Sequence, residues 1–161
     1  MAVTTQNSSE YANIVASPPV MNGRPAMPYK KRFHHTQVAA GDDGSSVTIA
    51  RIQAGERLDL LSSRMKYPAF GASRVLKLGW SAHTDPDGTA HVADDDALFS
   101  GMDVAAAGVK CLLESTAGVG VEADGTHLFK ATCNLILTCT GGTWPDTSAI
   151  IGYLELSPGG P

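Results

Sequence analysis

The chain of 161 residues has a net charge of −4, and only 17% of its residues are charged. This length predicts one domain with at most an arm, and it suffices to bury a sizeable core. The charge is uneven, because residues 1–36 carry four cations against one acid, a net of +3, which leaves −7 on the remainder. Such an acidic body is expected to repel nucleic acid, and no apolar run approaches the roughly 20 residues that span a membrane.

Residues 1–46 are predicted to form an extended N-terminal arm. Residues 1–9 are polar, and residues 17–28 contain four prolines, which fix φ and lack a backbone donor. Apolar and basic side chains are spaced along the arm, a composition that suits contact with a neighbouring subunit. We expect these contacts from Val20, Met21, Arg24, Met27, Tyr29, Lys30, Lys31, Arg32 and Phe33. Two alternatives stay open, a tail that contacts nothing and a solvated basic run at residues 30–32. Removing residues 1–36 is expected to leave the domain folded.

The domain proper is predicted to begin with three strands. Residues 47–52, 58–65 and 75–82 alternate with period two, which is the pattern of a half-buried strand rather than of a helix. A tight turn at residues 53–56 joins the first two. In the third, one face is expected to be buried by Leu76, Leu78 and Trp80.

Turn signals divide the second half of the chain. Asp85-Pro86-Asp87-Gly88 suits a β-turn, since proline fits its first central position and glycine tolerates positive φ. An Asp-Gly pair at 124–125, between residues 119–123 and 128–139, predicts a β-hairpin. Residues 150–156 are predicted to form the last strand. The predicted fold class is therefore all-β, a β-sandwich or jelly roll of about seven or eight strands over residues 47–161, behind the Pro-rich arm.

The acidic run Asp94-Asp95-Asp96 is interpreted as the start of a helix, where carboxylates satisfy free N–H groups and face the positive end of the dipole. The alternative is a calcium site formed by these three residues with Asp103, and with Asp85 and Asp87. The residue order of an EF-hand loop is absent from this stretch.

Neither enzymatic chemistry nor a metal site is predicted. The chain lacks G-x-S-x-G, a P-loop, G-x-G-x-x-G and H-E-x-x-H, so we expect no catalytic residue, no cofactor and no small-molecule substrate. His34 and His35 are adjacent and would point to opposite faces of a strand. The scattered histidines His83, His91 and His127 are expected to line strand edges. The odd number of cysteines, without CxxC, predicts reduced and buried thiols at Cys111, Cys133 and Cys139.

Three segments taken together resemble a family of small structural proteins of tailed bacteriophages and prophages, which are encoded among the head genes. The segments are residues 52–58 (IQAGERL), 70–79 (FGASRVLKLG) and 94–108 (DDDAL followed by GMDVAAAG). The family pattern combines an AG-x-R-L turn, an FGASR-x-L-x-LG strand, an acidic DDAL and a G-x-DVSAAG-like segment, in which Ala105 replaces the serine. Residues 150–153 also resemble the last strand of the family. The similarity covers residues 47–110, and the Pro-rich front end is not part of it.

The resemblance implies a capsid decoration, or cement, protein on the outer surface of the virion head, assembled in the bacterial host cytoplasm. Its partner would be the major capsid protein, and its own assembly a homotrimer. Such a protein would clamp neighbouring shell subunits, with many weak contacts adding through effective concentration. The alternatives are another virion component, such as a tail, neck or fibre-base protein, and a carbohydrate- or receptor-binding sandwich. In the latter, a sugar would stack on Trp80 or on Trp144, which the sequence places in a loop.

Overall fold

The computed structural model describes residues 3, 5–7, 28–113 and 116–158, and within these ranges the chain forms strands, turns and loops without a helix. No described segment is therefore a helix that could cross a membrane. The strands are β1 Thr5–Asn7, β2 Tyr29–Thr36, β3 Ser46–Ile52, β4 Glu56–Tyr67, β5 Val75–Trp80, β6 His83–Thr84, β7 Ala90–His91, β8 Asp94–Asp103, β9 Gly108–Cys111, β10 Thr116–Ala117, β11 Thr126–Leu128, β12 Cys133–Thr140 and β13 Ala149–Pro158.

Two sheets enclose one core. The first sheet has the order β1-β3-β12-β5-β8-β10, and the second has the order β11-β4-β13-β2. β9 pairs with residues 64–67 of β4, and β11 pairs with residues 57–59 of the same strand. A separate two-stranded hairpin is formed by β6 and β7. The predicted all-β sandwich is confirmed.

The core is built from alternate residues of both sheets, as period-two alternation requires. In β5, Leu76 and Leu78 are fully buried and Trp80 is 8% exposed, which confirms the predicted inner face. The turn before β4 is also confirmed, because the Glu56 N–H donates to the Gln53 carbonyl oxygen at 3.1 Å. Buried side chains from both sheets form one cluster that includes Phe33, Ile49, Leu58, Leu78, Phe99, Leu135 and Leu154.

A large bulge interrupts β4. Four residues of β4, Leu60–Ser63, stand opposite a single residue of β13, Leu154. The Asp59 carboxylate accepts hydrogen bonds from two N–H groups inside the bulge, at 2.9 and 3.1 Å. Ser63 Oγ donates to the Asp59 carbonyl oxygen at 2.5 Å and accepts from the backbone N–H of Glu155 at 2.8 Å. These bonds satisfy backbone groups that the bulge removes from the sheet ladder.

The N-terminal region differs from the predicted arm. All eight residues of β2 pair with β13, and Phe33 is 1% exposed in the core. β1 pairs in parallel with β3 at the edge of the first sheet. Residues 29–36 are thus a strand of the sandwich, because the hydrophobic gain from burying Phe33 and a full backbone ladder hold them there. Removing residues 1–36 would therefore delete a strand of the sandwich. The other predicted arm contacts fall within residues 8–27, which lie outside the described residues.

The acidic run does not begin a helix. Residues 94–103 form β8, and the register of β8 against β5 shifts on either side of Leu78. The irregular part of β8 crosses Gly79, where a Cβ would lie 1.8 Å from the Asp94 carbonyl oxygen. The Asp94 carboxylate accepts a hydrogen bond from the Asp96 N–H at 3.1 Å. A side-chain carboxylate that accepts from the N–H two residues later occurs both in irregular strands and at the start of helices. The three consecutive aspartates therefore did not distinguish the two structures.

The predicted hairpin at 124–125 is correct in its turn and wrong in its pairing. Gly125 has φ of +80°, and its N–H donates to the Glu122 carbonyl oxygen at 2.9 Å. The strand after the turn, β11, pairs with β4. Before the turn, the N–H groups of Gly118 and Gly120 donate to carbonyl oxygens of β8. Next to the turn the Glu122 N–H donates to the Thr126 carbonyl oxygen at 2.8 Å, and beyond it the backbones of the two flanks pair with different sheets.

Candidate functional site

The outer face of the second sheet carries a group of basic side chains. Along β2, Lys30, Arg32 and His34 are exposed, whereas Phe33 and His35 are buried. The same alternation on β4 exposes the even-numbered residues after the bulge, Arg64 and Lys66. On β13, Ile151 is 50% exposed and Tyr153 is partly exposed.

The strand register brings these side chains together. Tyr153 of β13 is directly opposite Arg32 on one side and Arg64 on the other. Ile151 is likewise flanked by His34 and Lys66. Because neighbouring strands lie about 4.8 Å apart, the two arginines project from backbone positions about 10 Å from each other across the tyrosine.

We call Lys30, Arg32, Arg64, Lys66, Ile151 and Tyr153 the basic face. Lys30 Nζ lies 4.5 Å from the centroid of the Tyr153 ring, a cation–π contact, and 3.7 Å from Glu155 Oε2. Glu155 and Asp59 lie opposite each other at one end of this face. The face is thus locally positive on a protein whose net charge is −4. An apolar and aromatic centre with cations around it has the composition of a protein-contact surface.

The inward-facing residues of β2 have a structural role. Lys31 Nζ donates to the Arg51 carbonyl oxygen, and burial lowers the pKa of Lys31, although the charge of Glu56 partly opposes this effect. The Tyr29 hydroxyl donates to Glu56 Oε1, and Glu56 Oε2 accepts from the Gln53 N–H at 2.7 Å. These bonds connect β2 to the turn between β3 and β4, so Tyr29 and Lys31 support the sandwich.

The predicted contact residues are therefore divided. Lys30 and Arg32 lie on the basic face, and Tyr29, Lys31 and Phe33 point inward. The remaining predicted contacts fall outside the described residues; they are Val20, Met21, Arg24 and Met27. Sequence reasoning missed Arg64, Lys66, Ile151 and Tyr153 as members of one surface. Arg64, Ile151 and Tyr153 lie in predicted strands and Lys66 directly follows one, but the sequence does not show which strands are neighbours.

The acidic run is a salt-bridge cluster. Lys77 Nζ lies 3.5 Å from Asp95 Oδ1 and 3.4 Å from Asp96 Oδ2. Burial opposes the charged form of Lys77, but Asp95 and Asp96 outweigh this and raise its pKa. The carboxylates of residues 94–96 lie within 4.8 Å of one another, and a lysine ammonium already supplies them with a positive charge. A second group of described residues with metal-ligand composition is His83, Asp85 and His91.

The tryptophans and thiols are largely buried. Trp144 is fully buried and donates from Nε1 to Ser148 Oγ at 2.9 Å, so it lacks the exposure that the sugar-binding alternative requires. With Trp80 also buried, the sugar-binding alternative loses the two residues on which it rested. Burial raises the pKa of Cys133 to about 12 and that of Cys139 to about 11, which agrees with buried thiols. Cys111 is only half-buried.

Comparison with known structures finds the same fold in a viral shell. A chain in a structure described as the capsid of Ralstonia phage GP4 is similar with a TM-score of 0.60 and 14% sequence identity, covering 97% of this chain and 98% of that one. A chain of the infectious bursal disease virus Gx strain matches with a TM-score of 0.41 and 15% identity, covering 89% of this chain and 37% of that one. No protein-family model matches the chain, and no curated protein sequence is similar to it. The likeness to the phage chain extends over the whole sandwich and concerns the fold.

Proposed function

We propose that the protein is a structural component of a bacteriophage virion, and more specifically a capsid decoration protein that binds the outside of the head shell. It would stabilise the shell by bridging neighbouring copies of the major capsid protein. The proposal requires no catalysis, since the task is mechanical and depends on contact surfaces.

The observation that carries the proposal is the match of the complete fold. A chain from a phage capsid structure aligns with 97% of this sequence, and 98% of that chain is covered in return, so the two domains are alike in size and architecture. The segments at residues 52–58, 70–79 and 94–108 independently resemble small phage head proteins. Neither observation depends on the other, because the fold match has only 14% identity.

The basic face is the surface that we propose for shell binding. Its two arginines flank an aromatic ring, which is the composition enriched at the energetic centres of protein interfaces. The surrounding lysines would steer the protein towards an acidic shell surface and fix its orientation. Strands position these side chains, so little conformational entropy of the backbone is lost on binding.

Two further elements of the proposal concern assembly. Residues 20–27 would add apolar and basic contacts with neighbouring shell subunits, and three copies would associate into a homotrimer. Several weak contacts made by one trimer would add through effective concentration. Sedimentation equilibrium of the purified protein measures the trimer directly, and a monomer at all concentrations contradicts that part of the proposal.

The test of shell binding is cosedimentation of the purified protein with head shells of the virus that encodes it. Reversing two charges of the basic face, with Arg32→Glu and Arg64→Glu, should weaken binding by at least about 10-fold, because like charges would then face the acidic shell. The matched control reverses two exposed cations elsewhere, with Arg51→Glu and Lys130→Glu, and should bind as the unaltered protein does. Equal loss in both double variants would contradict the role of this face.

Imaging of intact particles separates decoration from another virion role. Many copies distributed over the head support decoration. A few copies confined to the neck, tail or fibre base would instead support the alternative component, and absence from the particle would overturn the proposal as a whole.

A further inference from the structure

The short hairpin formed by β6 and β7 brings together three side chains that are typical metal ligands. His83 and His91 are direct cross-strand partners, so they project from the same side of the hairpin. Their rings stack with centroids 4.8 Å apart and an interplanar angle of 17°. Asp85, which begins the turn between the strands, places Oδ2 3.1 Å from His91 Nε2. One ligand atom from each residue lies within 4.8 Å of the others.

The turn holds the backbone of Asp85 in place. The Gly88 N–H donates to the Asp85 carbonyl oxygen at 2.9 Å, and the Asp85 N–H donates to the Thr89 carbonyl oxygen at 2.9 Å. Both strands of the hairpin are therefore fixed relative to Asp85. The sequence predicts this turn from Asp-Pro-Asp-Gly. By reversing the chain, the turn brings together three residues that span positions 83–91 of the sequence.

The protonation of His83 suits a ligand. His83 Nδ1 lies 2.9 Å from the Ser81 carbonyl oxygen, which can only accept, so in the neutral imidazole the proton is on Nδ1 and the lone pair is on Nε2. Metal-binding histidines are characteristically oriented in this way, with the second ring nitrogen donating to a backbone carbonyl. The hydrogen bond is thus a supporting contact of the kind that metal sites need, and it is independent of the clustering itself.

The surroundings of Asp85 favour a cation. Its side chain is 7% exposed. Burial is the main cause of the raised pKa of Cys133, and the negative charge of Asp85 is the second cause. A carboxylate with so little access to water is stabilised by a hydrogen bond, a positive partner or a metal ion. The two histidines remain partly exposed, which leaves a path for an ion from solvent.

We propose that His83, Asp85 and His91 form a binding site for a divalent transition-metal ion, with Zn²⁺ as the best-matched ion. Imidazole and carboxylate together suit Zn²⁺, Co²⁺, Ni²⁺ and Cu²⁺ rather than Ca²⁺ or Mg²⁺, which take oxygen ligands. Three protein ligands leave a fourth position for water or for a group from another molecule. This inference does not depend on the proposed virion role.

Binding requires a small closure of the cluster. With metal–ligand bonds of about 2.0–2.1 Å, ligand atoms of a tetrahedral site lie about 3.3 Å apart. His91 Nε2 already lies 3.1 Å from Asp85 Oδ2, so the closure is mainly a movement of His83 towards this pair. The ion takes the place of the proton that His91 Nε2 donates to Asp85, and that proton moves to Nδ1 of the same ring. Both rings also contact Trp80, with centroid distances of 5.8 and 6.5 Å, so its fluorescence reports the rearrangement.

The first test titrates Zn²⁺ alone into EDTA-treated full-length protein by isothermal calorimetry. One Zn²⁺ per chain is expected, and the His83→Gln, His91→Gln double variant should bind at least about 100-fold more weakly. His34→Gln, which alters an exposed histidine on β2, is the matched control and should bind normally. Absence of binding to the unaltered protein, or undiminished binding to a folded double variant, overturns the proposal.

A second measurement avoids the risk that the double variant misfolds. In NMR spectra of the unaltered protein, sub-stoichiometric Zn²⁺ should shift the ring signals of His83 and His91. Signals of His34 should stay in place. Shifts confined to His34 or to the cysteines would place the ion elsewhere and contradict the site.

Discussion

Phe33 of β2 packs directly against Gly152 of β13, so closely that a Cβ at position 152 would lie 2.4 Å from Phe33 Cζ. The same Cβ would lie 2.5 Å from the Arg64 carbonyl oxygen on the other side. Only a residue without a side chain fits where the aromatic ring crosses the central strand of the second sheet. This contact joins β2 to the sandwich and defines the backbone beneath the basic face.

The first prediction concerns this contact. Gly152→Ala should destabilise the protein by about 1–3 kcal/mol, because a flexible ring can move away but a backbone carbonyl can do so only by distorting the sheet. Urea denaturation measures the loss. Ile151→Ala, on the exposed side of the same strand, is the control and should cost much less. Equal effects would show that the close approach does not constrain the fold.

The second prediction distinguishes a core strand from an arm. Phe33→Ala should cost about 3–5 kcal/mol in free energy of unfolding, as expected when a fully buried aromatic side chain is removed. Arg32→Ala, one residue away and exposed, should stay within about 0.5 kcal/mol of the unaltered protein. If Phe33→Ala is as mild as its neighbour, residues 29–36 do not contribute to the core.

The third prediction concerns the bulge of β4. Ser63→Ala should destabilise the protein by about 1–3 kcal/mol, because it leaves the part-buried backbone N–H of Glu155 without the acceptor that Ser63 Oγ provides. Ser62→Ala changes an exposed hydroxyl in the same bulge and serves as the control. Thermal unfolding of the two variants gives the comparison, and similar midpoints would assign no role to the Ser63 hydroxyl.

The fourth prediction concerns thiol reactivity. At pH 8 a thiol reagent should modify Cys111 much faster than Cys133 or Cys139. Burial raises the pKa of Cys133 to about 12 and of Cys139 to about 11, so almost none of either is the reactive thiolate, and burial also blocks access. Mass spectrometry after brief labelling identifies the modified residue, and all three should react after denaturation. Rapid labelling of Cys133 in the folded protein would contradict its burial.

The fifth prediction concerns stability at mildly acidic pH. His127 lies against Trp80 and donates from Nδ1 to the Gly120 carbonyl oxygen, and burial lowers its pKa below the ordinary value of 6.5. As pH falls below about 6.5, the unfolded chain binds a proton at this position before the folded protein does. The free energy of unfolding should therefore decrease towards acid, by at most about 1.4 kcal/mol per pH unit from this residue. Above that pH, His127 should make the free energy of unfolding neither rise nor fall, because its ring is neutral in both the folded and the unfolded protein.

The measurement compares urea denaturation between pH 5.5 and 7.5 for the unaltered protein and for His127→Gln. The variant should lose less stability on acidification, although it starts from a lower value. A steeper loss in the variant than in the unaltered protein would reverse the sign and refute the assignment.

The sequence determined the elements of the fold that depend on local alternation. Strands at residues 47–52, 58–65 and 75–82 were predictable because alternate burial leaves a period-two pattern in the side chains. The turns at 53–56 and 124–125 were predictable because glycine is needed where φ is positive, as at Gly55 and Gly125.

The tertiary structure decided which of these elements are neighbours. Proline-rich composition predicted an arm, but the backbone of β2 pairs with β13, whose sequence lies more than a hundred residues away. For the same reason, the sequence showed Arg32, Arg64 and Tyr153 without showing that they form one surface. Local patterns record that a side chain is buried or exposed. Long-range backbone pairing decides what it faces, and it depends on the free energy of the whole core rather than on any short segment.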